Sequence, residues 1–233
     1  MVHPIIFAIV LNYMAIPKII YQTFKTKTLP FVTRWHIRNF RKKNPDYQYE
    51  FYDDERIERF FSEEFDERTL NAYQQLNIGA AKADMFRYAV LLKKGGVYLD
   101  IDSGAKGRLS DFIKPEDQAI ISLEGNPDLY VQWALIYEAN HPFLKRALDL
   151  ILENIATNKF PHDVHAMTGP TVYTRAINEC LRENPSIPYR LLGVDYEGHL
   201  KFKYKLGKFF LYNKSSHWKK MQVSTPVIKP AAL

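Results

Sequence analysis

The sequence predicts an α/β fold in which helices flank a mainly parallel central sheet. Segments with the alternating pattern of strands follow segments with the three-to-four spacing of amphipathic helices. The 233 residues are 46% hydrophobic and 25% charged, as in globular proteins with an apolar core. Because no internal repeat, low-complexity tract or linker interrupts this pattern, we expect residues 1–233 to form one domain.

In the first part of the chain, the residue pattern predicts two strands, each followed by a helix. Residues 16–24 form an apolar run typical of a buried strand, and residues 33–43 place apolar side chains among Arg and Lys at helical spacing. Residues 47–52 alternate as a second strand after an Asn-Pro-Asp turn. Asp53 and Asp54 are typical helix-capping residues, so we expect a helix directly after them.

The clearest helix covers residues 80–94, with one apolar face and two lysines in its last turn. Gly95 or Gly96 can end it with a left-handed residue. Residues 97–102 then alternate as a strand. Two more helices are predicted later, at residues 141–154 and 171–182.

Charge and the N-terminal segment bear on partners and location. The net charge of +6 suits an anionic ligand such as a nucleotide, a nucleic acid or an acidic membrane surface. The single cysteine, Cys180, excludes an intrachain disulfide and a cysteine-based metal site. Within residues 1–15 the apolar run is too short to span a membrane. It is compatible with a strand, a docking segment or a weak signal peptide, and a soluble cytoplasmic enzyme is the favoured interpretation.

Two carboxylates close the third predicted strand. Alternation places Tyr98, Asp100 and Asp102 on one face, with the two carboxylates about 7 Å apart along the chain. Hard divalent cations prefer such oxygen ligands, and the carboxyl ends of parallel strands are where α/β folds bind ligands. The alternative is a solvated strand edge followed by a turn, since Asp-x-Asp is common by chance.

The preceding helix adds two charged residues near this strand. Asp84 and Arg87 lie one turn apart on the flank of the apolar face. They are either a surface ion pair, or Asp84 contacts ribose hydroxyls while Arg87 contacts a phosphate or orients the carboxylates, for which the planar donor fork of Arg is suited.

These segments resemble a known family. Ala-Lys-Ala-Asp-Met-Phe-Arg-Tyr at 81–88, followed by Gly-Gly-Val-Tyr-Leu-Asp-Ile-Asp at 95–102, is similar to the signature of glycosyltransferases with a DXD sugar-binding region. These include the Och1-like α-mannosyltransferases of glycosyltransferase family 32, and the glucosylating clostridial toxins share a similar core. Further matches fall in the expected order, at residues 16–22, 44–47, 52–54, 141–143, 168–170 and 217–218.

The resemblance implies a GT-A fold, which is a single Rossmann-like domain that binds a nucleotide-diphosphate sugar. It implies Mn²⁺ or Mg²⁺ as cofactor, transfer with retention of anomeric configuration, and a glycan acceptor. GDP-mannose is the first expected donor and a UDP-hexose the next.

The resemblance also implies roles for individual residues. Asp102 is expected to bind the metal directly, and Asp100 to bind the donor and reach the metal through water. His217 is a candidate third metal contact, with an ordinary surface histidine as the alternative. Asp84 and Arg87 are expected to contact the donor sugar, and Tyr98 is either a further contact or core.

The remaining candidates lie outside the central motif. Gln22 and the backbone around Ile16 to Tyr21 are expected to line the nucleotide pocket, with Tyr21 near the base. Burial in a strand is the alternative, and it is stronger for Ile19 and Ile20 than for Gln22. Thr168 and Gly169 are expected near the acceptor, or in an ordinary turn. Trp133 is expected either to stack on a sugar or to belong to the core.

Two other functions remain open from sequence. One is a different phosphate chemistry on the same aspartates, such as nucleotidyl transfer or phosphohydrolysis. The other is a non-catalytic protein that binds polyanions. The sequence has no P-loop and no recognisable RNA-binding signature, so no nucleic-acid partner is expected, whereas membrane association stays open.

Overall fold

A computed structural model describes residues 14–126, 128–204, 211 and 218–230. The eight strands of this part of the chain are β1 (Ile19–Thr23), β2 (Gln48–Tyr52), β3 (Gly96–Leu99), β4 (Gly104–Ala105), β5 (Ala119–Ser122), β6 (Ala134–Tyr137), β7 (Arg190–Leu192) and β8 (Leu200–Lys201). Its eight α-helices are α1 (Phe31–Lys43), α2 (Asp54–Glu64), α3 (Glu67–Gln75), α4 (Gly79–Lys94), α5 (Pro142–Ala156), α6 (Val164–Met167), α7 (Pro170–Glu183) and α8 (Trp218–Ser224).

Six strands form the central sheet in the order β2-β1-β3-β6-β5-β7. Only β6 runs against the others, since it pairs antiparallel with both β3 and β5. The remaining neighbours pair in parallel. The carboxyl ends of β1, β3 and β5 therefore meet at one edge of the sheet, as expected for an α/β fold. A separate two-stranded sheet joins β4 to β8.

Each face of the central sheet is covered by its own apolar cluster. Alternate strand residues such as Tyr98 and Leu135 pack with helices α2 to α7. Their neighbours Val97 and Leu99 pack instead with α1 and with the loop segments around Leu109 and Tyr196. The alternation of β3 predicted from sequence is thus confirmed for residues 97–99.

The predicted helix at residues 80–94 is confirmed, with one extra residue at its start. Gly95 ends α4 with a φ of 62°, and its N–H donates to the carbonyl of Leu91 at 2.9 Å. Gly96 has a φ of 113°, and a Cβ there would lie 2.8 Å from the carbonyl oxygen of Ile19. Both glycines are therefore required for α4 to turn directly into β3.

The other predicted helices are confirmed, with shifts of a few residues at their ends. Asp53 caps α2, because its side chain accepts a hydrogen bond from the N–H of Arg56. Among the described residues, no helix is both long and apolar enough to cross a membrane.

Candidate active site

The Asp100–Asp102 motif lies in a turn at the carboxyl edge of the sheet. β3 ends at Leu99, and the N–H of Asp100 makes one more hydrogen bond, to the carbonyl of Trp133 at 2.8 Å. The N–H of Ser103 then donates to the carbonyl of Asp100 at 2.8 Å, which closes the turn. The prediction that this strand continues to Asp102 is therefore wrong. The chain turns after Leu99, so the alternation of a strand does not determine which way the Asp102 side chain points.

The buried amide of Gln22, in β1, holds this turn. Its Nε2 donates to the carbonyl oxygens of Asp100 at 2.9 Å and Ser103 at 3.3 Å. Its Oε1 accepts from the hydroxyl of Tyr49 at 3.0 Å. Gln22 is 0% exposed, so its expected role as a nucleotide contact is not supported. It positions the aspartates instead.

A later segment, residues 202–204, packs on the turn from the other side. The hydroxyl of Ser103 donates to the carbonyl of Phe202, and the N–H of Tyr204 donates to the carbonyl of Asp102 at 3.0 Å. The hydroxyl of Tyr204 also lies 2.6 Å from that of Thr33 in α1. The motif is therefore fixed by β1, α1 and the segment after β8.

Asp84, Arg87 and Asp100 form a buried charge cluster. The Nη2 of Arg87 lies 3.2 Å from Oδ1 of Asp84 and 3.1 Å from Oδ1 of Asp100. The guanidinium also lies 4.8 Å from the ring centre of Tyr98, whose hydroxyl donates to Oδ1 of Asp100 at 3.2 Å. The surface ion pair considered from sequence is excluded, since the side chains of Asp84 and Arg87 are only 8% and 6% exposed.

Two residues from the second half of the chain complete this cluster. The Nε2 of Gln132 donates to Oδ1 of Asp84 at 2.9 Å, and its backbone carbonyl accepts from Nη1 of Arg87 at 2.7 Å. The hydroxyl of Thr168 donates to Oδ2 of Asp84 at 3.0 Å. Thr168 thus lies beside Asp84. Gln132 was not predicted as a site residue from the sequence. The one local feature that marks it is that it is a polar residue next to the apolar run at residues 133–136.

Burial shifts the pKa values of the cluster. It raises the pKa of Asp84 to about 6, although Arg87, Gln132 and Thr168 favour the charged form. Burial likewise raises the pKa of Asp100, against the opposing effect of Arg87. Burial alone would lower the pKa of Arg87, but the nearby charge of Asp100 outweighs it, so that the pKa is raised.

Asp102 differs from Asp100 in having an unused carboxylate oxygen. Asp102 is 2% exposed, and its Oδ2 is buried with no hydrogen-bond partner in the described part of the chain. Burial, and then repulsion from Asp100, raise the pKa of Asp102 to about 7, while Lys203 opposes the shift. A buried carboxylate oxygen lowers the stability of the fold unless a cation binds it or a donor forms a hydrogen bond to it. The pair therefore fits a hard divalent cation.

Further metal ligands were sought among the described residues. Within residues 14–126, 128–204, 211 and 218–230, no group of three or more His, Cys, Asp or Glu side chains could hold a metal ion. The candidate ligand His217 lies outside the described residues.

Several expected contacts are instead part of the core. Tyr21 is 1% exposed and packs with Tyr52, and burial raises the pKa of its hydroxyl. Ile16 is 1% exposed in the other cluster. The side chains of Ile16 and Tyr21 therefore belong to the core, and a nucleotide contact from the backbone around them stays a prediction.

Two candidates for the acceptor side also have packing roles. Trp133 is 5% exposed, and its ring centre lies 5.1 Å from that of Phe202, so it belongs to the core rather than to a sugar-stacking surface. A Cβ on Gly169 would lie 2.9 Å from Cα of His165, so this glycine allows α6 and α7 to meet closely. The turn alternative therefore accounts for Gly169.

Comparison with known proteins agrees with this site. Residues 30–120 match the model of the glycosyltransferase sugar-binding region containing the DXD motif. The matched residues begin at Pro30, directly before α1, and continue past the Asp100–Asp102 turn. They include Asp84 and Arg87.

Two characterised relatives and one solved structure illustrate the similarity. The initiation-specific alpha-1,6-mannosyltransferase of Schizosaccharomyces pombe is 27% identical over 198 residues, which cover 71% of this chain and 49% of the relative. The mannosyl phosphorylinositol ceramide synthase SUR1 of Saccharomyces cerevisiae is 35% identical over 102 residues, or 42% of this chain and 25% of the relative. The match thus spans half or less of each relative's length.

The solved structure supports the same fold. The PaToxG glycosyltransferase superposes with a TM-score of 0.62 at 24% identity, covering 75% of this chain and 74% of that one. With the matched sugar-binding region and the mainly parallel sheet, this likeness shows a GT-A fold. The chain is thus similar to glycosyltransferases in its fold and, over residues 30–120, in the sugar-binding region that contains the DXD motif.

Proposed function

We propose that this protein is a metal-dependent retaining glycosyltransferase that moves mannose from GDP-mannose to a glycan acceptor, with residues 1–233 acting as one GT-A domain. The observation that carries the proposal is the buried Oδ2 of Asp102, which has no hydrogen-bond partner in the described part of the chain and lies near the charge of Asp100, at the carboxyl edge of the sheet. The mannosyltransferase name of the fission-yeast relative supports mannose, and a UDP-hexose is the next candidate donor.

Asp102, with Asp100 directly or through water, would hold Mn²⁺ or Mg²⁺, which when bound neutralises the donor diphosphate and stabilises the leaving nucleotide. His217 stays a candidate third ligand. Arg87 keeps Oδ1 of Asp100 in place through the 3.1 Å contact of its Nη2. Asp84 contacts the same guanidinium nitrogen at 3.2 Å and so helps to fix Arg87.

Transfer with retention is proposed to occur by front-face displacement. The acceptor hydroxyl oxygen forms a bond to the anomeric carbon on the face from which the phosphate leaves, and its proton passes to the departing phosphate oxygen. This step needs no enzyme nucleophile. Trapping a covalent glycosyl-enzyme on a specific Asp or Glu would replace it with double displacement.

A growing oligosaccharide is the first acceptor that we propose. A second candidate is an inositol phosphoceramide-type lipid, because a 102-residue segment is 35% identical to the budding-yeast ceramide synthase, whereas the identity to the fission-yeast enzyme is 27% over 198 residues. Supplying both acceptors with the same labelled donor distinguishes the two, since only one product should accumulate.

The decisive experiment is a calorimetric titration of GDP and UDP in the presence of Mn²⁺, followed by analysis of the products formed from a panel of nucleotide sugars. We expect tighter binding of GDP, and slow release of free mannose and GDP from GDP-mannose. Asp102→Asn should abolish metal-dependent binding. Asp149→Asn is the control, because the Asp149 side chain is half-exposed and its one ion pair among the described residues is with Lys145.

Other outcomes would point to the rival functions. Release of sugar phosphate and nucleoside monophosphate would indicate a different phosphate chemistry. A salt-dependent affinity for nucleic acid that survives Asp102→Ala, without any donor turnover, would indicate a polyanion-binding protein.

A further inference from the structure

The outer face of α1 exposes two aromatic side chains among basic residues. Phe31 is 73% exposed and Trp35 is 59% exposed. The 13 residues of α1 include five exposed Arg or Lys side chains and no Asp or Glu, namely Arg34, Arg38, Arg41, Lys42 and Lys43. Such exposure of large aromatic side chains calls for a partner surface.

Helix geometry places four of these residues in one stripe. At 3.6 residues per turn, Phe31, Trp35, Arg38 and Lys42 point within about 60° of one another and span about 16 Å. The buried residues of α1, Thr33, Ile37 and Phe40, point to the opposite side, into the protein. The stripe is therefore an amphipathic surface turned outward.

An open basic recess continues the stripe at the end of α1. It has a volume of about 540 Å³, and four of its seven lining residues are cations, Lys42, Lys43, Lys106 and Arg108. Lys43 is held at this place because its Nζ donates to the carbonyl of Lys106 at 2.7 Å. The one carboxylate in the lining is Asp111. The recess thus has the charge and shape to accept phosphate groups.

We propose that the stripe of α1 and the adjoining basic recess dock on the surface of a bilayer that contains anionic lipids. Trp and Phe beside Lys and Arg on one helix face are suited to the boundary between headgroups and acyl chains, where the rings are buried and the cations meet phosphates. Nucleic acid would satisfy the cations, but a duplex would leave Phe31 and Trp35 exposed.

Docking in this way would bring the reaction close to the membrane. The inner face of α1 contacts the active-site segments, since Thr33 bonds to Tyr204 and Nε2 of His36 lies 3.4 Å from the carbonyl of Ser103. An acceptor carried by the membrane would then lie near the Asp100–Asp102 turn. The proposal itself does not depend on the enzymatic activity, because it concerns binding alone.

The test is sedimentation of the whole chain with vesicles of phosphatidylcholine alone, and of phosphatidylcholine mixed with phosphatidylserine. We expect binding only to the anionic vesicles, weakened by added salt. Tryptophan emission should shift to shorter wavelength on binding, and Trp35→Phe should remove most of this shift because Trp35 is the tryptophan of the stripe and is exposed.

Charge variants test the contribution of the basic residues of the stripe to membrane binding. Arg38→Gln with Lys42→Gln should lower the partition coefficient about 25-fold, since each basic residue near an anionic surface contributes about fivefold. The matched control, Arg68→Gln with Arg182→Gln, removes the same charge from exposed positions on α3 and α7 and should leave binding nearly unchanged. The circular dichroism spectrum should be the same for the wild type, Trp35→Phe and the two double variants.

Three outcomes would overturn the proposal. One is equal binding to neutral and anionic vesicles, or to neither. Another is an equal loss of binding in the control variant, which would mean a nonspecific effect of net charge. The third is binding of single-stranded oligonucleotides through these residues without any binding to vesicles.

Discussion

Replacing Gln22 with Leu should lower metal affinity without touching either aspartate. Leu has nearly the volume of Gln, so the change removes the amide and little else. Three hydrogen bonds disappear, those to the carbonyls of Asp100 and Ser103 and the one from Tyr49. At about 1 kcal/mol each, the free energy of unfolding should fall by about 3 kcal/mol, or roughly 6 to 12 °C in Tm for a chain of this size.

The functional effect follows from the loss of support for the turn. Asp100 and Asp102 stay, but the backbone between them loses the amide that joins it to β1. Changes in residues that orient metal ligands commonly lower metal affinity by about tenfold or more. Calorimetric titration of Mn²⁺ in the presence of GDP measures this directly, at a temperature well below the Tm of the variant.

Asn44→Leu is the matched control for this prediction. Asn44 is 2% exposed, its Nδ2 donates to the carbonyls of Phe40 and Gly107, and its Oδ1 accepts from Leu109. It should lose similar stability and keep its Mn²⁺ affinity. If Gln22→Leu binds Mn²⁺ as the wild type does, or if Asn44→Leu loses affinity equally, Gln22 is not a positioning residue.

Three further predictions concern the cluster and the core. Arg87→Met should cost about 3 to 5 kcal/mol in urea unfolding, because it leaves the buried carboxylate of Asp84 and the partly buried carboxylate of Asp100 without their cation, and a loss below about 1 kcal/mol would contradict this cluster. Thr168→Val should cost about 1.5 to 3 kcal/mol by removing a donor to Asp84, whereas Thr168→Ser should restore most of it. His141 should contribute a loss of stability as the pH drops from about 6.5 toward 4, because burial lowers its pKa to about 4 and only the unfolded chain binds this proton in that window. Asp84 and Asp102, whose pKa values are raised, contribute with the opposite sign, so the His141 contribution is the difference in slope between the wild type and a His141 variant. His141→Asn keeps an acceptor at the start of α5 and should remove this part of the slope, up to about 3 kcal/mol, in unfolding experiments at both ends of the window.

Local patterns predicted the elements that depend on local physics. The apolar face of α4, its terminal lysines and the two glycines that follow are all encoded within one stretch of chain, so the helix and its end were predicted within one residue. The motif was predicted as an extended strand because alternation continues through Ile101, which does pack in the core. What ends the strand is not local. It is the amide of Gln22 and the segment around Tyr204, which lie far from the motif in sequence.

The same distinction explains which site residues could be identified from sequence. The resemblance located Asp84, Arg87 and the two aspartates of the motif by their fixed spacing. It could not show that Tyr21 and Trp133 face the core, because an aromatic residue in a strand has the same pattern whether it meets a ligand or an apolar neighbour. Burial resolves that choice only when the neighbouring strands and helices are placed.

The structure also gives a physical reason to expect different roles for the two motif aspartates. Oδ1 of Asp100 is occupied by Arg87 and by the hydroxyl of Tyr98, and its side chain is 28% exposed, so it can face a ligand while held in place. Asp102 is more deeply buried, and its Oδ2 has no partner among the described residues. A cation bound between the two carboxylates would be stabilised most by Asp102, because the buried charge of Asp102 has no other compensating partner among the described residues. Asp102→Asn should therefore lose metal binding more completely than Asp100→Asn, and equal losses would mean that the two carboxylates share the metal evenly.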